Sequence, residues 1–162
     1  MPKEKPIEIF MPPNMLKAKV GGSFGGIDAS MLRRAETAME EMKTEFTNWL
    51  GADVDKLVEA RDGFAALCDK PTQDALLRAS HDLKGGAQTY DYPLIGRIAG
   101  SLCRLMEGAA NPQAIPLVLV DAHVNAIKIV HRQDIRDATN RMAVTLSEEL
   151  ENRVTEMLEK AR

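Results

Sequence analysis

Three features of the sequence predict an all-α chain. Apolar residues recur at steps of three and four over most of its length, with no convincing strand among them. The hydrophobic share is 44% while aromatics make up only 4%. The core must therefore be aliphatic and rich in Met and Ala, which suits close-packed helices better than a sandwich of β-branched strands. The connections between residues 50 and 112 are short, which favours antiparallel neighbours. The expected architecture is an antiparallel up-and-down four-helix bundle core with extra N- and C-terminal helical segments. At 162 residues, one domain plus extensions is the default. The expected divisions are an irregular N-terminal extension over 1–27, a helical bundle over 28–132 and a C-terminal amphipathic helix over 133–162.

Residues 1–27 hold Pro2, Pro6, Pro12 and Pro13 and the run Gly21-Gly22-Ser23-Phe24-Gly25-Gly26, punctuation that interrupts regular structure. Asp28 is a fitting N-cap for a first helix to about Leu50, with Ala35, Met39, Met42, Phe46 and Trp49 on its inner face. Gly51 interrupts, and Val54, Leu57, Phe64, Leu67 and Cys68 continue a second helical pattern. Pro71 restarts the chain into a helix running to Tyr90. Asp91-Tyr92-Pro93 reads as a turn, because the residue before a proline resists the α region. Leu94, Ile95, Ile98, Leu102, Leu105 and Met106 stripe the next helix, closed by Gly108. Asn111-Pro112 and Pro116 open another, carrying Leu117, Val120, Val124, Ile127 and Val130 to about His131. Met142, Leu146, Leu150, Val154 and Met157 stripe a charged C-terminal helix. That stripe either folds onto its own bundle or makes a homodimer contact.

Several function classes drop out on composition. The net charge is −3, and no run of Lys or Arg offers a nucleic-acid footprint. No stretch approaches 18 apolar residues, and Met1-Pro2-Lys3-Glu4-Lys5 has no apolar segment behind it. A cytoplasmic protein with neither nucleic acid nor membrane as partner is expected. Cys68 and Cys103 lie far apart with no CxxC partner and read as buried free thiols. His123 and His131 are eight residues apart, not at the i, i+4 spacing of a helical metal pair, so no metal site is expected. The Gly-x-x-x-x-Gly-Lys-Ser/Thr loop and the Gly-x-Gly ATP lid are both missing. The chain is thus expected to have no ATP-dependent kinase activity and no cofactor of its own.

The helix before Tyr90 carries the most informative segment, His81-Asp82-Leu83-Lys84-Gly85-Gly86. At about 100° per residue, Leu76, Ser80, Leu83, Ala87 and Tyr90 fall within roughly 80° of one another and form the buried stripe. His81 lies about 140° around from Leu76, so it points to solvent with Lys84, Gly85 and Gln88 along its own side. Each mid-helix glycine costs about 1 kcal/mol against alanine, and two in succession ask for a reason. A bare backbone beside an exposed imidazole lets another protein's surface, or a phosphoryl group, come close. The plain alternatives are an ordinary surface histidine and close helix–helix packing at the glycines, the latter more apt for Gly86 than for Gly85.

His81-x-x-Lys84-Gly85 sits within Ala79-Ser80-His81-Asp82-Leu83-Lys84-Gly85-Gly86-Ala87, and a second helical run follows from Ile98 to Glu107. Together they resemble the histidine-containing phosphotransfer (HPt) domains of bacterial multistep phosphorelays, over roughly residues 30–131. The resemblance implies that His81 is the phospho-acceptor. Histidine's ordinary pKa of about 6.5 leaves a neutral, nucleophilic imidazole near pH 7. Lys84 corresponds to the family lysine and balances phosphoryl charge as a flexible donor. Gly85 corresponds to the family glycine, where a β-carbon would crowd the phosphoryl oxygens and the incoming partner. Gln88, two turns along, is placed by spacing to donate a neutral hydrogen bond to the same group. The implied partners are response-regulator receiver domains and a hybrid histidine kinase, with Mg²⁺ supplied by the receiver. Leu77, only about 40° from His81 and off the buried stripe, is the first candidate for partner binding, with Arg78 and Gly85.

One position departs from the family pattern. Many members carry glycine ten residues after the histidine, where this chain has Asp91. If the helix has ended there, aspartate tolerates the turn; if not, its carboxylate repels groups near the docking surface. A reading from a different class is a helical adaptor that binds a receiver or another signalling protein without phosphotransfer.

Overall fold

The computed structural model describes residues 28–162, and all regular structure among them is helical. The irregular extension expected over 1–27 lies outside the described residues. In chain order the helices are α1 (Ala29–Leu67), α2 (Lys70–Thr89), α3 (Pro93–Gly108), α4 (Leu117–Arg132) and α5 (Arg141–Lys160), with a 3-10 turn at Pro112–Ala114. None of them is long and apolar enough to cross a membrane.

Asp28 caps α1 as its residue type suggests, its carboxylate accepting from the Ser30 amide at 3.2 Å and the Ser30 hydroxyl at 2.6 Å. The helix then runs 39 residues unbroken, which corrects the expected stop near Leu50. A lone glycine weakens a helix without ending it, and no proline lies in the way. Gly51 instead admits a neighbour, since a β-carbon there would stand 3.4 Å from the His131 ring. The expected inner face is corrected as well. Ala35, Met39, Met42 and Trp49 are exposed, whereas Leu50, Val54, Leu57 and Phe64 are buried. A 3.6-residue period shows that apolar residues share a side, not that anything covers it.

The chain divides into two compact units, Met1–Glu40 and Glu41–Arg162. In the first, described from 28, the helix is exposed at every residue. The second holds the rest of α1, the other four helices and the core.

Within that second unit, Cys68 takes a φ of 47° to leave α1, and Asp69 caps α2. The Asp69 carboxylate accepts from the Thr72 amide at 3.0 Å, the Thr72 hydroxyl accepts from the Asp69 amide at 3.2 Å, and Pro71 occupies the first turn. The expected stripe of Leu76, Ser80, Leu83 and Ala87 is fully buried, with Tyr90 half-buried at its end. Gln73 joins it by donating to the Met106 carbonyl at 2.7 Å.

Helices α2 and α3 form an antiparallel hairpin, with Gln73 beside Met106 at one end and Gln88 beside Gly96 at the other. Ten of the 16 residues of α3 are buried, so neighbours cover it on most sides. Against it also lie α4, through Ser101 and His123, and α5, through a fork from Arg97 to Glu151 with both contacts at 2.7 Å. The buried line of α5 is Ala143, Ser147, Leu150 and Val154, one position around from the expected Met142 and Leu146. That line is occupied within the chain, while Met142 stays exposed. The thiols of Cys68, half-buried, and Cys103, buried, are free.

Three segments meet at Tyr92, which is fully buried. Its hydroxyl donates to Asp134, and the Arg136 guanidinium stands 4.4 Å above its ring while donating to the Thr47 hydroxyl at 2.7 Å. The network joins α1, the α2–α3 turn and the loop before α5.

Candidate functional site

The inward stripe of α2 fixes what its other side shows. His81, Asp82, Lys84, Gly85 and Gln88 are all exposed and together line an open depression of about 320 Å³. Ser80, the residue before the histidine, is turned inward, its hydroxyl donating to the Leu76 carbonyl at 2.7 Å. Among the described residues the His81 imidazole has no hydrogen-bond or ion-pair partner, so its ring nitrogens stand free for an incoming group. Arg78 is exposed one turn earlier, and Leu77 is half-buried against the edge of the core.

The two glycines part ways. A β-carbon at Gly85 would meet nothing within 4 Å, whereas one at Gly86 would stand 3.3 Å from the Tyr90 ring and 3.6 Å from an Asp53 carboxylate oxygen. Gly86 is a packing glycine; packing does not account for Gly85.

The surroundings of His81 differ in charge from side to side. Toward α3, the Lys84 stem lies along Gly100, and its charge pulls the Cys103 thiol pKa down against a larger upward push from burial. Toward α1, Asp53 holds the Lys56 ammonium at 3.0 Å and raises its pKa, with a smaller contribution from Asp82. The exposed side of α2 around His81 therefore has a lysine toward α3 and carboxylates toward α1. Sequence reasoning missed the α3 glycines beneath Lys84 and Gln88. Gly96 and Gly100 are visible as an i, i+4 pair, but nothing in the sequence says which helix faces them.

Asp91 adopts a φ of 65° just beyond the Tyr90 cap of α2. The helix has ended, and the position demands the left-handed conformation that glycine adopts freely and aspartate tolerates.

The other histidines are differently placed. His123 is fully buried. Its Nδ1 lies 2.7 Å from the Leu119 carbonyl, which can only accept, so Nδ1 carries the proton and Nε2 accepts from the Ser101 hydroxyl at 2.9 Å. Burial lowers its pKa and keeps the ring neutral. His131 packs against Gly51 and the Tyr92 ring. Among the described residues no cluster of His, Cys, Asp or Glu could hold a metal ion. A second depression, about 220 Å³ between α1 and α4, contains Arg61, already paired with Asp121 at 2.6 Å and Asp62 at 2.8 Å.

Compared with models of known protein families, with curated proteins and with solved structures, the chain matches none.

Proposed function

We propose that this chain is a phosphorelay intermediate, in which His81 accepts a phosphoryl group from the aspartate of one receiver domain and passes it to another. The observation that carries the reading is an exposed, unpartnered imidazole with a lysine one turn on and open space over Gly85. An imidazole nitrogen attacks phosphorus with its lone pair. The N–P bond forms as the P–O bond to the receiver's aspartate breaks, and that electron pair stays on the carboxylate. The proton on the other ring nitrogen leaves to solvent as the phosphorylated ring returns to neutrality. Lys84 balances the charge of the phosphoryl oxygens, and Gln88 donates a neutral hydrogen bond to them. The receiver supplies Mg²⁺ as Lewis acid; this chain supplies the nucleophile and its surface.

The reading carries with it an antiparallel up-and-down four-helix core made by α1–α4, to which α5 is appended, and a docking surface of Leu77, Arg78 and Gly85. Its setting would be the bacterial cytoplasm, with response-regulator receivers and a hybrid histidine kinase as partners. The chain would act as a carrier, without kinase activity of its own.

The test is transfer of labelled phosphoryl from a phosphorylated receiver to the purified chain. Acid-labile, base-stable label is expected on the parent and none on His81→Gln. Label retained in His81→Gln overturns the assignment, and receiver binding without any label favours the adaptor instead. Labelled ATP with Mg²⁺ and no partner should leave the chain unlabelled.

A further inference from the structure

Gly96 and Gly100 stand one turn apart on α3, opposite the two side chains that flank His81. A β-carbon at Gly100 would lie 3.6 Å from Cε and 3.7 Å from Cδ of Lys84. One at Gly96 would lie 3.7 Å from Cγ of Gln88, 3.7 Å from Cβ of Ala87 and 3.5 Å from the Lys84 carbonyl oxygen. The antiparallel pairing of α2 and α3 thus sets one glycine against each side chain. Glycine weakens a helix interior, and each of these two leaves room that a side chain would take.

The chemistry of lysine gives Gly100 a purpose. A long cationic side chain lays its methylenes along apolar surface and keeps its charged head in water. At Gly100 that surface is the α3 backbone itself, so the stem crosses close to the helix and the ammonium is held on the α3 side of His81. A side chain larger than alanine would occupy the path of the stem and release the ammonium to solvent. The Lys84 charge is felt at Cys103, three residues further along α3, as expected for a stem held against that helix.

We propose that Gly100 is a positioning residue for phosphoryl transfer at His81, holding the Lys84 ammonium beside the imidazole. The proposal rests on the phosphorelay reading above. It adds a contribution from α3, a helix that bears no reacting group.

A double-mutant cycle in the full chain tests it. Initial transfer rates from a phosphorylated receiver, and KM for that receiver, are measured for Gly100→Leu, Lys84→Ala and the double variant. The fold is checked by helical circular dichroism and thermal midpoint. The atoms nearest a β-carbon at Gly100 belong to the flexible end of Lys84, so the midpoint of Gly100→Leu should hold; Gly100→Ile repeats the test should the leucine variant unfold. Gly100→Leu is expected to slow transfer roughly ten-fold, with at most a ~2-fold further effect in the Lys84→Ala background, because both changes remove one interaction. Gly100→Ala, whose β-carbon makes ordinary contact with the stem, should stay within about 2-fold of the parent by the same reasoning. Equal slowing in both backgrounds would reveal a clash with the receiver and overturn the proposal, as would no slowing in either. His81→Gln separates the levels. If it loses its label while the Gly100 variants behave as parent, only the positioning role fails; if it keeps its label, the phosphorelay reading fails too.

Discussion

Gly85 and Gly86 are adjacent, yet substitution should move them in opposite directions. At Gly85 an added β-carbon enters open space, so Gly85→Ala should stabilise the fold by up to about 1 kcal/mol through reduced backbone entropy of the unfolded chain. The same change should slow phosphotransfer, and Gly85→Gln should slow it more. At Gly86 the β-carbon would press on a Tyr90 ring already packed against Phe46 and Trp49, so Gly86→Ala should lower the thermal midpoint. If the midpoint and transfer rate of Gly85→Ala fall together, the open-space argument fails. Lys84→Ala should slow transfer by roughly 10- to 150-fold, the equivalent of the 1.5–3 kcal/mol that a charge-assisted contact supplies at most at an exposed site. Asp91 gives a third measurement. Its φ of 65° makes Asp91→Val costly by about 1–2 kcal/mol in urea unfolding, while Asp91→Gly should be neutral or stabilising. At this scale the sequence was informative about His81, Lys84 and Gly85, because helical spacing alone determines which residues share an exposed side. It was silent on Gly96 and Gly100, whose meaning depends on the helix that lies opposite.

Helices show a similar division between what periodicity determines and what it leaves open. The positions of α2 to α4 were legible from their prolines and stripes, since Pro71, Pro93 and Pro116 each stand at a helix start, whereas the C-terminal helix expected over 133–162 begins only at Arg141, after a loop. The extent of α1 was not legible, because Gly51 looks like a stop when its close neighbour His131 is 80 residues away in sequence. Nor did its apolar stripe disclose which half is covered. The distinction is measurable. Met42→Ala, at an exposed position, should change stability by no more than about 0.5 kcal/mol. Leu57→Ala, fully buried, should cost about 2–5 kcal/mol. Equal losses at the two sites would mean that something covers Met42 in solution.

The whole molecule carries one buried titratable histidine, and it should respond to mild acid. Burial lowers the His123 pKa, so the unfolded chain binds this proton more readily than the folded one. The stability due to the neutral ring is fully present above the ordinary value of about 6.5 and drains away as pH falls below it. The thermal midpoint should drop between pH 7.5 and 5.5 in the parent. That slope should flatten in His123→Gln, whatever the variant's absolute stability. The Asp134 pKa is lowered, first by the Tyr92 hydroxyl, so its contribution is lost only in stronger acid, below about pH 4. An unaltered slope in His123→Gln would place the sensitive group elsewhere. The division of α2 into a hidden and a displayed side has its own consequence for divergence. Leu76, Ser80, Leu83 and Ala87 hold the helix in place, while Asp74 and Arg78 contribute no fully buried side chain. Duplicated copies of such a gene could drift apart in the partners they recognise while melting at the same temperature. A library varied at those two displayed positions should therefore yield insulated, mutually non-crosstalking variants without a search for compensating core mutations.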